Sequence, residues 1–323
     1  MPQRMFAVLC RSLLCGAGMI GAAQAHGIVE RHLTAPSAAL GHAIPYSLYK
    51  PAAEPAAGTR WPVLYLLHGG GGGDQDWLEY GKIAATLDDE IAAGKMPPLV
   101  VVMPDGGGES WFVDNTDPGG AGKVETALST DLVEAIDTTL PTAACRSGRA
   151  VGGLSMGGYG ATLFALDHPD RFVAAISLSG AIAEPIDPDD AVRIKKGDEY
   201  YDGAFGKPFD VERYNAANVF PRVDKDADLP DKPSFWITAG DRDGLGIITG
   251  SAELHVALRR AGYDTTLRIG AGQHDWNNWA QSIVPALDWL APQLRDSCPP
   301  MRSTAAARPA LGQAEPKGGE AQK

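Results

Sequence analysis

The chain has 323 residues, of which 44% are hydrophobic and 21% are charged, and its formal net charge is -12 at pH 7. This composition is that of a globular protein with enough chain for one large core or two smaller ones. A protein this acidic has no general attraction for nucleic acids or anionic membrane surfaces, so neither is expected as a partner.

The N-terminal segment 1–25 has the pattern of a signal peptide. Two arginines are its only charges, residues 13–23 form a short apolar run, and the AQA triplet at 23–25 offers small residues at both critical positions of a cleavage site. A retained membrane anchor is the alternative, but the apolar run is too short to span a bilayer comfortably. We predict cleavage after Ala25 and a secreted or periplasmic protein with no membrane association after the signal is removed.

Apolar runs alternate with amphipathic patterns from about residue 60 to residue 295. Six runs rich in Val, Ile and Leu predict strands: VLYLLHG, PLVVVMPDG, RAVGGLS, FVAAISLSG, SFWITAG and TTLRIG. These runs are nearly continuous rather than alternating, which is typical of a parallel sheet covered on both faces. Residues 28–49, with Gly41 between two runs, are expected to form a leading antiparallel hairpin.

Helical patterns lie between the predicted strands, and a last helix is expected at about residues 277–294. The apolar stripes that predict the earlier helices are Ile83/Leu87/Ile91, Val124/Leu128/Leu132/Ile136 and Leu254/Ala257/Leu258/Ala261. Alternation of strands and helices predicts an α/β fold with a doubly wound, mostly parallel sheet and helices on both faces.

Two segments interrupt this alternation. Residues 184–232 are polar, rich in Pro and Asp, and contain six aromatic residues, so we predict a lid-like insertion over the sheet edge. Residues 299–323 lack large apolar side chains and are predicted to be a disordered tail. The fold domain is therefore expected to occupy residues 26–298.

The stretch VGGLSMGGYG contains the pattern G-x-S-x-G around Ser155. At a sharp strand-to-helix turn, a nucleophile adopts a strained backbone, and its neighbours two residues before and after must lack bulk. A flexible turn with a capping serine is the alternative. The apolar run before Ser155 and the helix-like run after it favour a nucleophile elbow.

A serine nucleophile needs a base, and in α/β-hydrolases the chain order is Ser, acid, His. His168 is expected at the far end of the helix that Ser155 opens, and His255 at a solvated helix position. His274 follows a predicted strand in a loop that can reach the serine, so we predict His274 as the base. Either Asp241 or Asp243, both after the preceding strand, can orient it, and spacing alone does not choose between them.

An oxyanion hole needs two backbone donors, and the residue after the nucleophile, Met156, supplies one. The second is expected from the glycine run 69–73 after the first parallel strand. A phosphate loop is the alternative for that run, but it lacks the Lys and Ser/Thr that follow in such loops. His68 precedes the serine and is expected to be a structural loop histidine.

After signal removal, Cys145 and Cys298 are the two remaining cysteines. In an oxidising compartment a single disulfide between them is expected, with two unrelated thiols as the alternative.

With these residues assembled, the chain resembles the esterase D-like, feruloyl esterase-type branch of the α/β-hydrolases, which also includes S-formylglutathione hydrolases and mycolyltransferases. The resemblance covers about residues 42–295 and rests on LLHGGGGGDQDW, RAVGGLSMGGYGATLFALDHPDRFVAAISLSG, AGDRDGL and GQHDWNNW. It implies Ser155 as nucleophile, His274 as base, Asp243 as the orienting acid and the Gly70 N–H as the second oxyanion donor.

The resemblance and the residues together predict an exported serine carboxylesterase that needs no cofactor and no metal. Its substrate is expected to be a small-molecule or carbohydrate-linked ester, including feruloyl or acetyl esters of sugars. An acyltransferase on the same triad is the first alternative. A non-catalytic binding protein on a hydrolase scaffold is the second.

Overall fold

The computed structural model describes residues 26–225 and 228–298. An eight-stranded sheet forms its centre, beside a small two-stranded sheet. The strands in chain order are β1 (Ile28–Ala35), β2 (Ile44–Lys50), β3 (Val63–Leu67), β4 (Val100–Pro104), β5 (Asp114–Asn115), β6 (Gly122–Lys123), β7 (Arg149–Leu154), β8 (Ala174–Leu178), β9 (Ser234–Gly240) and β10 (Thr265–Gly270).

The large sheet has the strand order β1-β2-β4-β3-β7-β8-β9-β10. Strands β4, β3, β7, β8, β9 and β10 run parallel to one another, whereas β1 pairs antiparallel with β2, and β2 antiparallel with β4. The predicted parallel strands and the leading hairpin are therefore confirmed. The chain passes from β3 to β4 on one side and from β7 to β8 on the other, so the carboxyl ends of β3 and β7 form the topological switch point of the sheet.

The sheet is covered on both faces, which explains its continuous apolar strands. In β3, the side chains of Val63, Tyr65 and Leu67 belong to one buried cluster, and those of Leu64 and Leu66 belong to a second cluster on the other face. All five residues are at most 2% exposed. Because both faces of the strand exclude water, both sets of alternating positions must be apolar.

The helices complete the doubly wound architecture. In chain order they are α1 (Asp76–Glu79), α2 (Ile83–Ala92), α3 (Val124–Thr126), α4 (Leu132–Thr139), α5 (Met156–Asp167), α6 (Ala191–Tyr200), α7 (Val211–Ala217), α8 (Val219–Lys225), α9 (Ile247–Arg260) and α10 (Trp276–Leu290). Helices α4, α5 and α9 contribute to the first cluster, and α2 and α10 to the second. The pattern beginning at Val124 includes a π-helical turn at Ala127–Asp131, and a 3-10 turn follows α10 at Ala291–Gln293.

The segment 184–232 contains α6, α7 and α8, and most of its aromatic residues are packed inside it. Phe205, Phe209 and Tyr214 are at most 7% exposed, and their rings surround Tyr201 at centroid distances of 5.0–5.5 Å. Tyr200 differs, because it is 49% exposed. The aromatic residues therefore build the core of this segment, and Tyr200 remains accessible to a ligand.

A disulfide joins Cys145, just before β7, to Cys298 after the last helical turn. Two backbone hydrogen bonds fasten the same C-terminal stretch, from Arg295 N–H to the Ser147 carbonyl at 2.8 Å and from Arg60 N–H to the Asp296 carbonyl at 2.7 Å. The predicted pairing of the two cysteines is present in the structure.

Replacing both cysteines by serine is expected to destabilise the protein. The bridge spans a sequence separation of 153 residues, and the chain-entropy model assigns a crosslink of that span about 5 kcal/mol of unfolding free energy. Urea unfolding of the oxidised wild type and of the Cys145→Ser/Cys298→Ser variant measures the difference. An unchanged midpoint, or peptide mapping that finds two free thiols in protein from an oxidising compartment, would contradict the expectation.

The signal peptide predicted for residues 1–25 and the tail predicted for residues 299–323 lie outside the described residues. Within residues 26–225 and 228–298, no helix combines the length and the apolar character needed to cross a bilayer.

Candidate active site

Ser155 stands between β7 and α5 with φ 51° and ψ -119°. The glycines around it are required by close packing, because a Cβ on Gly153 would collide with the Gly157 carbonyl, and a Cβ on Gly157 with the His68 carbonyl. The Ser155 amide donates to the Leu178 carbonyl at 3.0 Å. These contacts hold a residue other than glycine at positive φ, a strained state that is typical of functional sites. The sharp strand-to-helix turn predicted at Ser155 is therefore present.

The side chains of Ser155, His274 and Asp243 form one hydrogen-bonded chain. His274 Nε2 lies 2.9 Å from Ser155 Oγ, and His274 Nδ1 lies 2.7 Å from Asp243 Oδ2. The Asp243 side chain is fully buried and that of His274 is 17% exposed. A buried carboxylate at Nδ1 keeps the proton on that nitrogen, so Nε2 can accept the serine proton.

Two further contacts hold these hydrogen-bonded side chains in place. The Leu245 amide donates to the other oxygen of Asp243, Oδ1, at 3.0 Å. The ring of Trp279 packs edge-on against His274 with centroids 5.0 Å apart. Neither contact was inferred from the sequence. The signal for Trp279 was its place on the predicted last helix, five residues after His274.

Asp241 lies in the same loop as Asp243 but is hydrogen-bonded to a backbone amide. Its Oδ1 accepts a hydrogen bond from the Gly272 amide at 3.0 Å, and its side chain is 51% exposed. Asp241 thus fastens the backbone two residues before His274, and Asp243 is the acid that contacts the imidazole.

His68, His168 and His255 lie away from the hydroxyl of Ser155. His68 is 1% exposed, accepts the Gly106 N–H at Nε2 over 3.1 Å, and lies 2.8 Å from the Gly69 carbonyl at Nδ1, so both ring nitrogens serve the loop structure. His168 follows the last residue of α5. His255, predicted at a solvated position, is half-buried on α9, with Nδ1 3.3 Å from the Thr265 hydroxyl. None of the three contacts Ser155.

The glycine run at residues 69–73, which we call the glycine loop, follows β3 and packs against the elbow. A Cβ on Gly69 would lie 3.7 Å from the Cβ of Ser155. Met156 is the first residue of α5, where amide groups have no partner within the helix. Gly70 and Met156 therefore lie on the two backbone segments that adjoin the serine, which is where oxyanion donors must lie.

A cleft of about 500 Å³ adjoins the Asp243 loop. Its lining includes Ile186, Tyr200, Tyr214 and Leu245. Burial raises the pKa of the Tyr200 phenol, and the negative charges of Glu109 and Asp243 raise it further. In the described part of the chain, no group of three or more His, Cys, Asp or Glu side chains is arranged to hold a metal ion.

The chain matches a family model described as "Putative esterase" over residues 37–290. It is 28% identical to an acetyl esterase from Caldicellulosiruptor saccharolyticus, over 71% of this chain and 83% of that protein. It is 35% identical to an endo-1,4-beta-xylanase/feruloyl esterase from Xylanibacter ruminicola, over 42% of this chain. It is also 28% identical to the diacylglycerol acyltransferase/mycolyltransferase Ag85A of Mycobacterium gordonae, over 88% of both chains.

Some relatives are much longer than the matched region. The chain spans 19% of the length of the Xylanibacter enzyme and 26% of an esterase from Mycobacterium tuberculosis to which it is 38% identical. Among solved structures, it superposes on a ferulic acid esterase with a TM-score of 0.68 and 26% identity, over 84% of this chain and 99% of that one. This likeness and the strand order identify the architecture as the α/β-hydrolase fold.

Proposed function

We propose that this chain, which belongs to the esterase family of α/β-hydrolases, is a serine carboxylesterase with Ser155 as its nucleophile. One observation carries the proposal: the hydrogen-bonded chain from Ser155 through His274 to the buried carboxylate of Asp243. Any one of these residue types is common in proteins, but the three together activate a hydroxyl for acyl transfer.

The proposed reaction begins when Ser155 Oγ attacks the ester carbonyl carbon and His274 Nε2 takes the hydroxyl proton. The carbonyl oxygen becomes an oxyanion, held by the amides of Gly70 and Met156. Collapse of this intermediate breaks the ester C–O bond, and His274 returns its proton to the departing alkoxide. Water then attacks the acyl-enzyme with His274 again as base, which releases the acid and restores Ser155.

Asp243 supports both steps from its buried position. Its carboxylate orients the imidazole and stabilises the positive charge that His274 acquires in each tetrahedral intermediate. Because the Asp243 side chain is withdrawn from solvent, this electrostatic stabilisation is stronger than the same contact would be in water.

For the substrate, we propose a small-molecule or carbohydrate-linked ester, with feruloyl and acetyl esters as the first to test. The support is the accessible ring of Tyr200 beside the cleft near Asp243, together with relatives named as acetyl and feruloyl esterases. Stacking on an exposed aromatic ring suits both an aryl acyl group and the apolar face of a sugar.

We also propose that residues 184–232 act as a lid and that the protein is exported. The lid proposal rests on Tyr200, which the segment carries to the mouth of the site. The export proposal rests on the signal-like sequence before residue 26 and on the disulfide between Cys145 and Cys298, since disulfides persist in oxidising compartments.

Acyl transfer is the second candidate, because the match to the mycolyltransferase covers most of both chains. Water and alcohols attack the same acyl-enzyme, so the triad does not separate the two reactions. The difference is whether the site holds an acceptor while limiting water.

We expect mainly free acid from a short-chain aryl ester, even with glycerol or a disaccharide present at moderate concentration. Segment 184–232 is highly charged near the site, with Arg193, Lys196 and Glu199 along the cleft, and such a wet surface favours water as the acceptor. Chromatography of the products, with the Ser155→Ala protein as blank, makes the measurement. A predominant transfer ester would replace the hydrolase proposal with the acyltransferase.

A further inference from the structure

The loop after β4 faces the glycine loop across the mouth of the site. The Gly71 amide donates to the Gly108 carbonyl at 2.6 Å. A Cβ on Gly108 would lie 3.4 Å from the Gly71 Cα. The two backbones therefore touch beside Gly70, the proposed oxyanion donor.

The residue after Gly108 is Glu109, and its carboxylate lies in van der Waals contact with the position that a Cβ at residue 70 would take. A Cβ on Gly70 would lie 3.4 Å from Glu109 Oε1, 3.5 Å from Oε2 and 3.8 Å from Cδ, and these are its three nearest atoms. The glycine at position 70 therefore admits a carboxylate to the oxyanion loop.

The Gly71 backbone is a hydrogen-bond partner of the Glu109 carboxylate, but no side-chain cation of the described residues pairs with it. Within residues 26–225 and 228–298, no ion pair with a Lys, Arg or His side chain involves this carboxylate. Glu109 is exposed, and it lines a cleft of about 720 Å³ together with Asp202 and Lys207, which pair with each other at 3.5 Å. A ligand in that cleft meets a carboxylate that has no cation as partner.

The sheet order indicates which part of an ester comes near this group. Glu109 follows β4, on one side of the nucleophile strand β7, whereas Asp243 and His274 follow β9 and β10 on the other side. His274 protonates the leaving alcohol, so the alcohol lies on the His274 side. The acyl group is then the part of the ester that can reach toward β4 and Glu109.

We propose that Glu109 is a specificity-determining residue that favours esters with a positively charged acyl group and disfavours those with a negatively charged one. This inference rests on the proposed esterase function. The physical reason is direct: a cation in the acyl chain gains an attraction that no side chain of the site already uses, and an anion meets repulsion.

Three p-nitrophenyl esters of matched length test the charge preference at pH 8 and low salt. They are the esters of 4-(trimethylammonio)butanoate, of its neutral isostere 5,5-dimethylhexanoate, and of glutarate as the anionic monoester. For the wild type we expect kcat/KM for the cationic ester to exceed that for the anionic ester by about tenfold. The value for the neutral ester should lie between them, about threefold from each. A threefold change is the size of effect that a partly exposed ion pair produces.

The Glu109→Gln variant keeps the shape of the side chain and removes its charge, so the preference should fall to within about twofold. The matched control is Glu134→Gln on α4, an exposed site away from the cleft, which removes the same net charge and should leave the ratios of kcat/KM as in the wild type. Added salt of about 0.5 M should also reduce the wild-type preference, because it screens exposed charges.

Unchanged ratios in Glu109→Gln, or an equal fall in both variants, would overturn the inference. A uniform loss on all three esters in Glu109→Gln alone would also overturn it, because it would show that Glu109 only braces the glycine loop. Failure of the esterase proposal looks different: the wild type would not hydrolyse even the neutral ester, or Ser155→Ala would hydrolyse it equally well.

Discussion

The Ser155→Ala protein is expected to fold as the wild type does and to lose about six orders of magnitude in kcat on an aryl ester, the loss seen when a triad serine is removed. In the proposed mechanism, the variant removes the atom that forms the acyl-enzyme, and it leaves His274 and Asp243 in contact. Ester assays with long incubation times measure the residual rate. A fluorophosphonate probe identifies the nucleophile by covalent labelling.

The control for this prediction is the stability of the folded variant. The amides that hold the elbow, such as those of Ser155 and Ala181, bond through the backbone and remain available in the alanine variant. A urea midpoint close to that of the wild type is therefore expected. Labelling that survives in Ser155→Ala would mean that another serine is the nucleophile and that the proposed mechanism is wrong.

Asp243→Asn is expected to lower kcat by about 10⁴, because an amide at this position favours the wrong histidine tautomer and carries no charge to stabilise the imidazolium. The Oδ1 atom can still accept the Leu245 N–H, so the loop should keep its shape. The ester assay at fixed pH, with the unfolding midpoint measured beside it, separates lost chemistry from lost fold.

Asp241→Asn is the matched control, two residues away in the same loop. An asparagine oxygen can still accept the Gly272 hydrogen bond, so we expect less than about a fivefold change in kcat, within the value of one hydrogen bond. The reverse order of effects would assign the orienting role to Asp241 and would contradict the geometry at His274 Nδ1.

Much of the fold could be predicted from the sequence, because it depends on local pattern and on burial. The run VLYLLHG became β3 because continuous apolar residues suit a strand covered on both faces, and the glycines around Ser155 signalled close packing of a strand and a helix. The aromatic residues of segment 184–232 were ambiguous between packing and ligand binding, since composition does not say which way a ring points. Phe205 and Phe209 proved to be packing, and Tyr200 stayed accessible.

The sequence by itself determined the alternation of strands and helices, the turn that carries Ser155, and which of the later histidines lies beside that serine. Each of these follows from neighbouring residues and from chain order along a parallel sheet. Tertiary structure alone decided which features meet across the fold. Spacing does not choose between Asp241 and Asp243; the family resemblance favoured Asp243, and the course of their loop places its carboxylate at the imidazole. The place of Glu109 against Gly70 depends on β3 and β4 lying side by side, a pairing of strands more than 30 residues apart, and no local pattern along the chain encodes such a contact.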